Sequence, residues 1–246
     1  MAIIVPIKNR DACLAAFLNH YHRIFHSQGL CYQIFAVIQT ADGYYNRGRL
    51  LNIGFVEASK QGFDCFIFHD VDEMLLNPHL KYGCENSPAN FITRRIKPNH
   101  LTPSSNSFGT VCGFSTTTFE RINGYSNCYW SYGGENDDLY KRVVKLGFNI
   151  SRTPAEFGLY FPNSLSQSHK PNLKIVSLNK MFLNSNYSHS EDGLNKLSYK
   201  IVSMEYLKLY TRITVNVMTK NDYCLKIFES KGYINSTYNP VLFKDK

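Results

Sequence analysis

The sequence predicts an α/β fold built on a parallel sheet, with ligands gathered at the carboxyl ends of the strands. Three observations predict it. Residues 2–69 alternate strand-like and helix-like patterns in the order strand, helix, strand, helix, strand, the pattern of right-handed crossovers in a parallel sheet. The apolar run Cys65 to Phe68 ends abruptly in His69-Asp70-Val71-Asp72-Glu73, as a strand covered on both faces does at its polar end. The 246 residues, 43% hydrophobic and 19% charged, suffice for one large domain, or for one with a modest appendage.

Taken in order, residues 2–6 read as the first strand, ended by Pro6 and a basic turn, Lys8-Asn9-Arg10. Asp11 caps a helix whose apolar positions Leu14, Phe17, Leu18, Tyr21, Ile24 and Phe25 follow helical spacing, and Gly29 stops it. Tyr32 to Ile38 is a second buried strand, followed by a turn at Thr40-Ala41-Asp42-Gly43. Asn46 caps a helix with Leu50, Leu51, Gly54, Phe55 and Ala58 on its apolar face, closed by Gln61-Gly62. Beyond Glu73 the alternation stops. Residues 77–107 carry Pro78, Pro88, Pro98 and Pro103, with strand character only near Asn90 to Thr93. Phe108 to Phe114 is a short apolar run, and Thr116 to Ile122 a short helix. Gly133-Gly134 precede a helix with Leu139, Val143 and Leu146 on one face, stopped by Gly147. Glu135, Asp137 and Asp138 in its first turn suit the positive end of the helix dipole whether or not they do chemistry. Residues 158–192 are polar and poorly patterned, the mark of a long loop that is either disordered or functional, often a lid. Tyr199 to Val202 and Tyr210 to Val217 read as two closing strands, and no role is legible from Thr219 onward.

The net charge is +8 with a pI near 9.0, but Lys and Arg are scattered. General basicity of this kind suits an anionic small molecule better than nucleic acid. The 14% aromatic content suits flat ligands such as nucleobases and sugars, or simply fills a core. No stretch approaches the ~20 apolar residues of a membrane span, and no signal peptide is visible. The seven cysteines form no CxxC pair and no zinc cluster, and an odd number leaves at least one thiol free if the others pair within the chain. Asn149, Asn186 and Asn235 match the N-glycosylation acceptor pattern, weak evidence in an Asn-rich chain.

Chemistry points to Asp70 and Asp72. Side chains alternate along a strand, so the two carboxylates share a side if the extended backbone persists. Together they make a hard-oxygen site for a divalent cation holding a diphosphate. The plainer reading is a strand followed by an Asp-rich turn.

Five stretches, in order, carry a resemblance: Ile3 to Arg10; Tyr45 to Phe55; Phe66 to Asp72; Ile122-Asn123-Gly124-Tyr125 through Tyr129 to Asp138; and Asp192 to Tyr199. In this order and spacing the chain resembles the β-1,4-galactosyltransferases, inverting, metal-dependent enzymes of the Golgi, from Ile4 to about Val217. The resemblance implies a GT-A fold: a Rossmann-like mixed sheet flanked by helices, with a long flexible loop near the active site. It implies a catalytic domain over 1–218, with a nucleotide-binding half (1–75) and an acceptor-binding half (76–218), and an extension of unknown role over 219–246. It implies transfer of galactose or N-acetylgalactosamine from a UDP-sugar to the 4-hydroxyl of a terminal sugar such as N-acetylglucosamine, on a glycoprotein or glycolipid glycan. No nucleic-acid partner is expected.

The resemblance also assigns residues. Pro6, Lys8, Arg10, Tyr45 and Arg47 would line the UDP site, Asp70 would orient the donor and Asp72 would bind Mn²⁺. Trp130, Tyr132, Gly134 and Glu135 would line the acceptor site, and Cys65–Cys84 would be a disulfide favouring an oxidising compartment. Residues 163–183 would be the lid. The location implied is the Golgi lumen if an anchor lies outside this sequence, and otherwise the cytosol or a viral setting. Lys8 stands where the family usually has Arg, and Tyr132 where it has Trp.

Three departures matter more. Asn136 stands where the family has the Asp that takes the acceptor proton, and a neutral amide cannot be that base. Asp137 is the expected substitute, with Glu135 and Asn136 beside it; the alternative is an impaired member that binds nucleotide-sugar or glycan without efficient transfer. Pro162 and Leu165 stand where the family completes its metal site, leaving His169 or His69 as candidate ligands. Ser107 replaces a bulky Tyr against C2 of the donor sugar, which leaves room for an N-acetyl group.

Overall fold

The computed structural model describes residues 1–40, 43–97, 100–103, 108–165, 172–185, 187–217 and 223–234. The alternation expected at the start is present. β1 (Ala2–Ile7), α1 (Asp11–Ser27), β2 (Gln33–Gln39), α2 (Arg47–Ser59) and β3 (Cys65–His69) follow one another, and β1 pairs in parallel with both β2 and β3. Alternation along β1 sorts the core into two layers. Ile4 packs with Leu50, Leu51 and Phe55 of α2, while Ile3, Val5 and Ile7 pack with Phe17 and Tyr21 of α1. α2 lies very close to the sheet: a Cβ on Gly54 would sit 2.2 Å from Ile4 Cγ2, so only glycine allows that approach.

The remainder departs from a purely parallel plan. The other strands are β4 (Glu73–Leu75), β5 (Ala89–Asn90), β6 (Arg94–Lys97), β7 (His100–Pro103), β8 (Val111–Ser115), β9 (Ser151–Arg152), β10 (Leu159–Pro162), β11 (Lys200–Tyr206) and β12 (Thr211–Asn216). The main sheet has the order β11-β12-β2-β1-β3-β8-β5-β9, with β8 antiparallel to β3. A second sheet, β4-β10-β6-β7, leans on it. The helices are completed by α3 (Thr116–Arg121), α4 (Glu135–Lys145), α5 (Leu173–Leu183) and α6 (Tyr223–Ser230).

Two expectations are corrected. Residues 77–107 contain a hairpin, β6–β7, whose register runs from Arg94↔Pro103 to Lys97↔His100. Residues 158–192 are not one long loop. β10 pairs with β4 and β6, and α5 is a packed helix capped by Asn172, burying Ile175, Leu178, Asn179 and Phe182. Of the expected lid, 163–183, residues 172–183 form α5 and its cap, and residues 166–171 lie outside the described residues. Within the region after Thr219, expected as an extension of unknown role, α6 buries Cys224, Ile227 and Phe228 in the main core.

The expected Cys65–Cys84 disulfide is present, and a second, Cys128–Cys224, joins α6 to the segment before α4. Cys13, Cys31 and Cys112 remain free thiols. No helix among the described residues is long and apolar enough to cross a membrane.

Candidate active site

β1 lies between β2 and β3, so the chain leaves β1 in one direction and reaches β3 from the other. The carboxyl ends of β1 and β3 border such a switch point, where open α/β sheets hold ligands. The turn after β1 supplies Lys8 and Arg10, and the turn after β3 supplies Asp70 and Asp72.

The extended backbone does not continue past His69. The Asp70 amide donates to the Thr110 carbonyl at 3.2 Å and the Glu73 amide to the Asp70 carbonyl at 3.3 Å, closing a turn. The expectation that Asp70 and Asp72 share one strand face is corrected accordingly, and the two carboxylates have different partners. Asp70 Oδ1 accepts from Arg47 Nε at 2.5 Å, whereas Asp72 Oδ2 lies 3.8 Å from Arg10 Nη1 with 42% of its side chain exposed. They still feel each other. Burial pushes the Asp70 carboxyl up to about 6 against the pull of Arg47, and the Asp72 charge adds to the rise.

Arg47 is the hub of the donor side. Besides Asp70, its Nη1 donates to Asn136 Oδ1 at 3.0 Å and its Nη2 to the Gly109 carbonyl at 2.8 Å, and Glu135 Oε1 lies 3.9 Å from Nη1. Its guanidinium sits 5.6 Å from the Tyr125 ring centroid. Arg47, expected to line the UDP site, is thus buried and bonded to protein acceptors. It fixes the acidic turn, the Gly109 backbone and the start of α4 relative to one another. Pro6 and Tyr45 are brought together, the Tyr45 hydroxyl donating to the Pro6 carbonyl at 3.2 Å, and Lys8 Nζ donates to the Gly43 carbonyl.

On the acceptor side the structure separates residues that the sequence grouped. Trp130 is 2% exposed, with the Arg49 guanidinium 4.9 Å from its ring, so it offers no face to a sugar in this conformation. Tyr132 is 71% exposed and is the available aromatic. Gly134 adopts φ 99°, and a Cβ there would lie 2.5 Å from Tyr129 Cε1, so glycine is required for α4 to begin where it does. Glu135 and Asn136 face Arg47. Asp137, one residue round the helix, is exposed at the rim. Asp138 points inward, bound to Arg142 Nε at 2.6 Å.

Sequence reasoning missed what holds this side together. A ladder of buried amides runs from α2 to the segment 123–130. Asn46 Nδ2 donates to the Asn127 carbonyl at 2.8 Å, and Asn52 Nδ2 to the Tyr125 carbonyl at 2.8 Å and to Asn127 Oδ1 at 3.0 Å. Asp192 accepts from Ser126 Oγ and from the Asn127 amide, and Arg142 Nη1 reaches the Asp192 carbonyl at 2.8 Å. The second and fifth motif stretches are therefore largely scaffold; the only available signal was their unusual density of Asn and Asp.

Two candidate metal ligands resolve differently. His69 is fully buried among Phe17, Tyr21 and Tyr82, its Nδ1 against the Asp70 carbonyl at 2.9 Å and its Nε2 3.2 Å from the Tyr82 hydroxyl. Burial holds its imidazole down to about 3, and it is no ligand to the site. His169 and Ser107 lie outside the described residues. The Asn163 amide donates to the Asp72 carbonyl at 2.8 Å, so the end of β10 does adjoin the acidic turn, but Pro162 and Leu165 bring no donor atom there. Cys128, Asp192 and Cys224 cluster elsewhere, but the two sulfurs are joined in a disulfide and offer no thiolate.

An acidic turn and a basic turn at the switch point of a mixed sheet, with α4 and its preceding turn across the mouth, agree with the GT-A fold that the sequence resemblance implies. The comparisons make this specific. Residues 1–85 match the family model for the N-terminal region of glycosyl transferase group 7, and residues 93–164 match that for the N-terminal domain of galactosyltransferase. The chain is 36% identical to β-1,4-galactosyltransferase 5 of Danio rerio over 219 residues, 88% of this chain and 56% of the relative. It is 35% identical to human β-1,4-galactosyltransferase 6 over 89% of this chain and 56% of the relative. The chain thus spans a little over half the length of these relatives. A Drosophila β-1,4-galactosyltransferase 7 mutant, solved with manganese, UDP-Gal and xylobiose, matches with a TM-score of 0.71 at 25% identity, covering 89% of this chain and 94% of that one. This chain belongs to the β-1,4-galactosyltransferase family, glycosyltransferase group 7.

Proposed function

We propose that the chain transfers galactose or N-acetylgalactosamine, with inversion, from a UDP-sugar to the 4-hydroxyl of a terminal sugar such as N-acetylglucosamine on a glycoprotein or glycolipid. The observation that carries this reading is the acidic turn Asp70–Asp72 set against Lys8 and Arg10 at the switch point. Residues 1–75 would form the nucleotide half and 76–218 the acceptor half. Pro6, Tyr45, Lys8 and Arg10 flank the donor, Arg47 holds Asp70 in place, and Ser107 leaves space at C2 of the donor sugar.

Asp72 is the residue that would hold Mn²⁺, with His169 as a further ligand. One or two carboxylates plus substrate phosphates is a normal way to hold so hard a cation, and the donor chemistry fits. When bound, the metal supplies positive charge against the departing diphosphate. The acceptor rests on Tyr132 and Gly134, Glu135 accepts its hydroxyl hydrogen bonds, and Asp137 takes the proton of the attacking hydroxyl. The two disulfides favour an oxidising compartment, in keeping with a Golgi lumen location.

A second reading is supported by one observation. Asn136 presents a neutral amide to Arg47 where the family has the base, which favours a member that binds UDP-sugar or glycan but transfers poorly. A UDP-release assay with Mn²⁺, N-acetylglucosamine and either UDP-galactose or UDP-N-acetylgalactosamine separates the two. Turnover with both donors is expected, abolished by Asp137→Asn. Turnover that survives Asp137→Asn removes that residue as base, and no turnover with bound UDP leaves the second reading.

A further inference from the structure

The turn before α4 is built from backbone that resists its own sequence. Ser131 has φ 62° without being glycine, and Gly133 and Gly134 have φ 91° and 99°. Left-handed backbone on an ordinary residue costs energy and needs outside support. Two supports are present. The Ser131 amide donates to the Tyr45 carbonyl at 2.7 Å, tying the turn to the donor side. On the other side a single side chain, Asn179 of α5, reaches three carbonyls: Nδ2 lies 2.9 Å from Trp130 O, 3.2 Å from Tyr132 O and 2.8 Å from Gly133 O.

Asn179 is 2% exposed, and its Oδ1 is buried with no hydrogen-bond partner among the described residues. Leaving an amide oxygen unpaired is costly, so what the residue contributes is donation. Turning the amide round would set oxygen against three carbonyl oxygens. The carbonyls it gathers flank Tyr132, and the turn leads directly into Glu135.

From this we infer that Asn179 is a positioning residue of the acceptor site: through its amide, α5 fixes the turn that presents Tyr132 and starts α4 at Glu135. This rests on the proposed transferase reading. It assigns to α5 control of acceptor affinity and leaves donor affinity to Arg47, Lys8 and Arg10.

Two variants test it. Asn179→Leu keeps the approximate shape and removes the donors. Gly133→Ala strains the same turn without crowding by the described residues, none of which has an atom within 4 Å of a Cβ there. Trp130 is the chain's single tryptophan and one of the three carbonyls is its own, so its emission reports the turn directly. In steady state with UDP-galactose, Mn²⁺ and N-acetylglucosamine, Asn179→Leu is expected to raise KM for N-acetylglucosamine about tenfold, with KM for UDP-galactose within about twofold and a shifted Trp130 emission. Gly133→Ala is expected to show the same split at about threefold. Acceptor KM unchanged in both variants, or donor and acceptor KM rising together, overturns the assignment. Should Asn179→Leu fail to fold, the split in Gly133→Ala decides alone. Should the wild type transfer nothing, titration of Trp130 emission with N-acetylglucosamine replaces KM: weaker binding in the variants supports the assignment, and equal binding overturns it, whatever becomes of the transferase reading.

Discussion

The two sides of the site are built by different means. The donor side is held by charge: Arg47 gathers Asp70, Asn136 and the Gly109 carbonyl, and Arg10 faces Asp72. The side expected to take the acceptor relies on neutral amides where it meets the site, with Asn46, Asn52, Asn127 and Asn179 gripping backbone carbonyls, and its buried charge cluster, Asp138–Arg142–Asp192, lies behind them. Both sides are buried, yet a change of charge should injure the first and a change of hydrogen-bonding shape the second. A motif letter therefore marks a charge centre on one side and a backbone support on the other.

The largest expected effect comes from Arg47→Met. It leaves the Asp70 carboxylate without its cation and the Gly109 carbonyl without its donor. A loss of about 3–5 kcal/mol in a urea titration is expected, as for other broken buried pairs, together with loss of UDP binding by calorimetry. A loss no larger than that of the amide variant below would erase the contrast between the sides. Asn127→Ala removes the donor to the Gly193 carbonyl at 2.7 Å and the acceptor of Asn52, and should cost about 1–3 kcal/mol with UDP affinity preserved.

Acid sharpens the picture from beneath the site. His69 titrates near 3 in the fold and near 6.5 unfolded. The unfolded chain therefore binds the extra proton between those values, and the fold loses stability as pH falls below 6.5, by about 1.4 kcal/mol per pH unit for one proton. Asp70 and Glu73, raised to about 6 and about 7, run the other way: their contribution is present below the unfolded carboxylate range and is lost as pH rises through those values. Subtracting the His69→Gln curve from the wild-type curve isolates the imidazole. A difference that stays flat from pH 7 to about 4 would show that His69 is protonated in the fold after all. The smallest effect belongs to Tyr132→Ala. With its ring in solvent, stability should move by less than about 0.5 kcal/mol while the acceptor KM rises. A melting temperature that falls in step would mean the ring is packed in solution.

The first half of the fold is legible because its signals are local. The apolar spacing of α1, the cap at Asn46 and the run ending at Asp70 each sit within one element. The hairpin Arg94–Pro103 is not, because β6 is completed by β10, far along the chain, and two prolines disguise it. α5 is hidden by its composition. Ile175, Leu178 and Phe182 do stand at helical spacing, but a buried Asn179 on that face and a Leu173 that is 78% exposed blur the pattern. Asp70, Asp72 and Glu135 were identifiable from residue type and motif. That Arg47 and Trp130 face inward was not, since a motif fixes which residues recur and not which way each one turns. Asp138 reads naturally as a dipole partner, and only the fold reveals Arg142 beneath it.

The bond between Cys128 and Cys224 spans 96 residues and ends in the last described helix. The segment that leads into Tyr132 and Glu135 is therefore fastened by a residue made much later than itself. A nascent chain halted before Cys224 could form the sheet and its acidic turn, yet its acceptor side would lack its covalent clasp. The clasp on the segment before α4 thus closes only after Cys224 has been made, and it waits on an oxidant.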